Sequence, residues 1–132
     1  MSIFRVSINI ATASRTLAEL EAYTGASATR FSPLGAPIND FDPTGPVREI
    51  SQWHLDSGVP EGSQLIEPHL AALRTVLERM AYVPFTGVLY ASFSIAVHGR
   101  ENGFVFELEP VDAALVARAG LHLRIDAYPP AE

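Results

Sequence analysis

The chain reads as an α+β two-layer sandwich, a mixed or antiparallel sheet with helices on one face. Three observations predict it. Segments with apolar residues at every second position alternate with segments where they recur every third or fourth. Each strand candidate is apolar on one face only, whereas the strands of a doubly wound parallel sheet are apolar on both. The element order, β-α-β-α-β-β-α-β, also supplies enough amphipathic helix to cover one sheet face.

Phe4, Val6, Ile8 and Ile10 alternate with Arg5, Ser7 and Asn9, which predicts a half-buried strand. Thr12 or Ser14 offers an N-cap for a helix to about Tyr23, with Leu17 and Leu20 inward and Gly25 as its stop. Ala26–Phe31 is a short extended piece. From Ser32 to Pro46 the chain is punctuated by Pro33, Gly35, Pro37, Pro43, Gly45 and Pro46, an ordered but irregular loop of a length often put to functional use. Val47–Ser57 is the second strand, with Trp53 and Leu55 on one face and Gln52, His54 and Asp56 on the other. Trp53 is expected in the core, where large aromatics pack.

Ile66, Leu70, Leu73, Leu77 and Met80 fall at spacings of four, three, four and three, the clearest helix of the chain. Ser63 is its candidate cap, and Pro68 fits only near the first turn. Val88–His98 follows between Gly87 and Gly99. Its odd positions, Leu89 to Val97, are all apolar and its even positions mostly small or polar, so it is expected as a central strand. The turn signal Arg100–Gly103 makes Phe104–Leu108 its hairpin partner. Pro110 suits the first position of a third helix, Val111–Ala119, closed by Gly120. Leu121–Tyr128 is the last strand, with Leu121, Leu123, Ile125 and Ala127 inward. Nothing in the pattern orders the strands.

A length of 132 residues predicts one domain, residues 1–132. The absence of Cys excludes disulfides, a thiolate zinc site and a thiol nucleophile, and suits the cytoplasm. Met1–Arg5 carries no basic start followed by an apolar run, and no stretch approaches the roughly 20 apolar residues of a membrane helix. All nine basic residues are Arg and the net charge is −6. That sign opposes a nucleic-acid partner and would suit a basic protein.

Several landmarks resemble the bacterial domain of unknown function 4279 family. They are Tyr23-Thr24-Gly25 at a helix end followed by Ala28-Thr29-Arg30, then Trp53-His54-Leu55 on a strand, the Leu spacing of the long helix, and the run from Leu115 through Ala119-Gly120-Leu121 to Ile125-Asp126-Ala127-Tyr128. The resemblance spans nearly the whole chain and implies this fold and a bacterial source rather than a chemistry.

The outward face of the sheet gathers the candidate binding residues: Arg5, Asn9, His54, Tyr90, Ser92, Ser94, His98, His122, Arg124 and Tyr128. Ser7, Gln52, Asp56, Glu107 and Asp126 share it. His54, His98 and His122 would form a metal site if they converged, because neutral imidazole is a common ligand. His69 stands apart from them. Asp40-Phe41-Asp42-Pro43-Thr44-Gly45 opens like a calcium loop, but Ser51 stands where the closing Glu is needed, and Asx turns account for the aspartates. Ser92 and Ser94 lack a nucleophile elbow, and no glycine loop cradles phosphate. No catalytic residue and no cofactor is therefore expected.

The function expected is a non-catalytic interaction module presenting this face, with the Ser32–Pro46 loop beside it, to a protein partner or a second copy. A toxin-immunity role is one specific form, by analogy alone. The alternative is a small metal-dependent enzyme or metal-binding protein using the three histidines.

Overall fold

A computed structural model describes residues 2–60, 65–98 and 107–129, with the backbone alone for Ser2 and Phe4. The elements run β1 (Ser2–Thr12), α1 (Leu17–Thr24), β2 (Arg30–Ser32), β3 (Ser51–Asp56), α2 (Glu67–Tyr82), β4 (Tyr90–His98), α3 (Pro110–Arg118) and β5 (His122–Tyr128). The strands form one mixed five-stranded sheet in the order β2-β3-β1-β4-β5. β1 lies antiparallel to β3 and β4, β2 antiparallel to β3, and β5 parallel to β4. The α+β class is therefore as the sequence predicts. Among the described residues, however, the order is β-α-β-β-α-β-α-β rather than β-α-β-α-β-β-α-β. The added β2 is three residues long, too short for a periodic signal. Among the described residues no helix is long and apolar enough to cross a membrane.

One sheet face and the three helices enclose the core. Val6, Ile8, Ile10, Trp53, Phe93, Ile95 and Val97 are fully buried from the sheet, and Leu20, Leu73, Leu77 and Leu115 meet them from the helices. Trp53 takes the expected core position, its indole Nε1 having no hydrogen-bond partner. A bulge at Phe4 lets Ile3 and Val6, three apart, both face inward: Ile3 pairs with Val97 and Arg5 with Ala96, leaving Phe4 as the extra residue. Ile3, outside the alternation read from the sequence, is thereby fully buried.

α1 starts later than Thr12 or Ser14 suggest. Thr16 caps it, accepting from Glu19 N–H at 3.2 Å while Glu19 reaches back to Thr16 N–H at 3.1 Å. Thr12 instead donates to Gly87 O at 2.6 Å and accepts from the backbone of Ser14 and Arg15, fastening the end of β1 to the approach of β4. α2 carries Pro68 in its first turn and starts from Ile66 without a side-chain cap; Ser63 lies outside the described residues. α3 has Pro110 at its start and positive-φ Gly120 after its end, as predicted.

β4 is interior, flanked by β1 and β5, as a central strand should be, and β1 is the middle of the five. Two further expectations need correction. The expected hairpin partner of β4 lies mostly outside the described residues, and its described end, Glu107-Leu108, is not in a strand. From Ser92 to His98 both edges of β4 are already taken by β1 and β5. Finally, Leu121 is buried, but Leu123 and Ile125 stay about half exposed at 50% and 49%.

A candidate binding trough on the open sheet face

Cross-strand register lines up the polar face in rows. One row reads Arg30, His54, Asn9, Ser92, His122 across all five strands. The next reads Asp56, Ser7, Ser94, Arg124, and the one beyond it Arg5, Ala96, Asp126. β1 and β4 thus contribute small side chains at Ser7, Ala11, Ser92, Ser94 and Ala96, with Arg5 and Tyr90 toward opposite ends and Asn9 between, while β3 and β5 contribute larger ones on either side. A low floor between high walls is a trough, and a concavity of about 320 Å³ occupies it. Arg5, Asn9, His54, Tyr90, Ser92, Ser94, Arg124 and Tyr128 all line it.

Its floor is fixed by its own polar groups. Asn9 Nδ2 donates to Ser7 Oγ at 3.1 Å and Ser94 Oγ at 3.2 Å, and Ser92 and Ser94 hydroxyls share a bond of 2.9 Å. His54 Nδ1 meets the Asn9 amide at 2.5 Å, and its Nε2 meets Asp56 Oδ1 at 2.7 Å. A carboxylate can only accept, so Nε2 carries the hydrogen, and Nδ1 faces the Asn9 amide oxygen. Thr29 Oγ1 in turn accepts from Asp56 N–H at 2.9 Å. Ser7 and Ser92 are 3% and 2% exposed, so the floor lies well below the rim.

The three candidate histidines do not converge. His54 and His122 share a row but stand three strand spacings apart, about 14 Å. His98 lies six residues along β4 from that row, about 20 Å away. His122 stacks on Tyr90 with ring centroids 4.8 Å apart, outside the lining. His98 tilts against Tyr128 at 6.3 Å and faces Pro129 O. Among the described residues no group of three or more His, Cys, Asp or Glu could hold a metal. Asp40 and Asp42 likewise form no such group; Asp42 serves its turn, with Gly45 N–H donating to Asp42 O at 3.1 Å. Of the Ser32–Pro46 loop only Ser32 reaches the trough, and the loop folds back on itself through a Pro37–Val47 bridge.

Sequence reasoning missed Arg30 and Ser32. Both lie on β2, too short for a periodic signal, although Arg30 and Ser32 flank Phe31 in the alternation of a strand. Lining charge is also unlike bulk charge: Arg5, Arg30 and Arg124 face one carboxylate, Asp126. Arg124 Nε holds that carboxylate at 3.1 Å.

A second constellation lies on the core side. His69 is fully buried, its Nδ1 2.6 Å from Ser57 Oγ and its Nε2 without a partner. A serine–histidine contact invites a nucleophile reading. Burial, however, pushes the imidazole pKa below its ordinary value, which weakens it as a base, and no third group orients Nε2. The pair anchors the first turn of α2 to the end of β3.

No protein-family model, curated protein or solved structure matches the chain.

Proposed function

We propose that this protein is a non-catalytic interaction module whose recognition surface is the trough. What supports this reading is the relief of the rows: small residues of β1 and β4 at the floor, larger polar and aromatic ones around them, with no helix of the described residues laid over them. The amide, imidazole and hydroxyls of the floor are hydrogen-bonded to one another, which gives it a fixed set of polar groups. Concave sites with a few fixed polar groups are the usual form of a recognition surface. A partner protein shielded or captured there, as a toxin is by an immunity protein, is one specific form. A bacterial source, drawn from the family resemblance, and a cytoplasmic setting, drawn from the absence of Cys, belong to the same proposal.

The experiment fills the floor. Ala96→Tyr puts a ring into the trough without removing a hydrogen bond. Affinity isolation from the native cell is expected to recover a stoichiometric partner with the wild type and to lose it with the variant, at unchanged thermal stability. Equal recovery by both proteins overturns the reading. Light scattering that finds a wild-type dimer and a monomeric variant assigns the trough to a second copy instead.

A further inference from the structure

We infer that the occupant of the trough is an extended acidic segment of the partner, gripped by Arg5 and Arg30. The inference rests on the trough being the recognition surface. It runs against the bulk charge, since an acidic chain of net charge −6 would be expected to attract a basic partner.

The arginines are not spread evenly in their engagements. Arg15 pairs with Glu19 and Arg74 with Asp112, Arg79 donates to the Ala22 and Tyr23 carbonyls, Arg118 donates to Tyr82, and Arg124 pairs with Asp126. Among the described residues Arg5, Arg30 and Arg48 have no such partner, and two of these three line the trough. Of the carboxylates in the rows of this face, Asp126 is held by Arg124 and Asp56 by His54. The concavity is therefore a locally cationic place on an acidic molecule. A guanidinium binds carboxylate through paired donors, and a basic occupant would set like charges against two uncommitted ones.

Spacing suits an extended anion. Arg30 shares a row with Asn9, four residues along β1 from Arg5 and two strands across, so their backbones stand about 16 Å apart. About five residues of extended chain span that distance, so two carboxylates of one segment can each meet one arginine. The small floor residues leave room for a backbone between the two grips.

The test is an amide NMR titration of the whole protein with a short blocked peptide of alternating glutamate and glycine. A lysine–glycine counterpart and free citrate are run in parallel. The glutamate peptide is expected to shift the Asn9, Ser92 and Ser94 amides and to weaken with added salt. The Arg5→Ala, Arg30→Ala double variant is expected to bind it at least about tenfold less tightly, as loss of charged hydrogen bonds implies. Arg5→Lys with Arg30→Lys keeps the charge and is expected to fall between. No response to the glutamate peptide, tighter binding of the lysine peptide, citrate binding as tightly as the peptide, or a double variant with unchanged affinity each overturns the inference. If the glutamate peptide fails while Ala96→Tyr still loses the native partner, the acidic occupant is wrong and the trough stands. If Ala96→Tyr keeps the partner, the trough itself is wrong.

Discussion

The two faces of the sheet are made by the same strands, residue by residue, yet they answer to different physics. On the helix side, Ile8, Ile10, Phe93 and Ile95 have lost all contact with water, and what matters is volume and shape. On the other side Asn9, Ser92 and Ser94 are held by directed bonds, and what matters is that each donor finds its acceptor. The first face sets whether the chain folds. On the proposed reading the second sets what the folded chain holds, so changes in the core should act on stability and changes at the rim of the trough on binding.

The sharpest test of that division is Trp53→Ala. Removing a fully buried indole should cost about 3–5 kcal/mol, read by chemical denaturation followed by far-UV circular dichroism. A cost no greater than that of a surface substitution would mean that the indole does not organise the core. Asn9→Ala comes next. It strips partners from Ser7, Ser94 and His54 together and should cost about 1–3 kcal/mol, because the polar groups left behind are partly buried. Should it prove neutral, the polar network would be surface decoration.

Acid probes the core side through His69. Its native pKa lies below the ordinary 6.5 because burial disfavours the charged ring. Below the unfolded value the unfolded chain takes up a proton that the native chain refuses. The His69 contribution is thus fully present above that value and is lost as pH falls toward the native one, with a slope of at most about 1.4 kcal/mol per pH unit. His69→Gln should flatten the stability profile between neutral and mildly acid pH by that difference; parallel profiles would remove His69 as the cause. The smallest effect belongs to the trough rim. Arg5→Ala and Arg30→Ala, both without ion pairs, should each leave stability within about 0.5 kcal/mol while acting on binding. Thermal melts check the first half of that statement, the peptide titration the second.

Face and period were readable from the sequence because alternation is a local signal. Val6, Ile8 and Ile10, Trp53 and Leu55, and the long stripe from Ile66 to Met80 all point where their spacing says. The capping box Thr16–Glu19 is equally local, although Thr12 and Ser14 offer competing hydroxyls nearer the strand. Depth was not readable. That Ser92 and Ala96 form a floor depends on which strands flank β4, and strand order is a non-local fact. The same applies to the histidines: sharing a face placed them together, and only register separates them. The bulge at Phe4 shifts the N-terminal phase by one residue, which no period-two pattern foretells. Net charge misleads for a related reason: it sums over a surface, while a partner meets one place on it.

The strand β5 is the parallel addition to an otherwise antiparallel sheet, and most of its residues are exposed. It nevertheless carries Arg124, Asp126 and Tyr128, one whole wall of the trough. The opposite wall stands on β3, whose Trp53 is sunk in the core. The two walls are therefore anchored with unequal strength, and thermal motion should favour the looser one. Native-state hydrogen exchange should find β5 amides opening well before those of β1 and β4. A segment entering the trough would then be admitted by the breathing of one edge while the floor stays rigid.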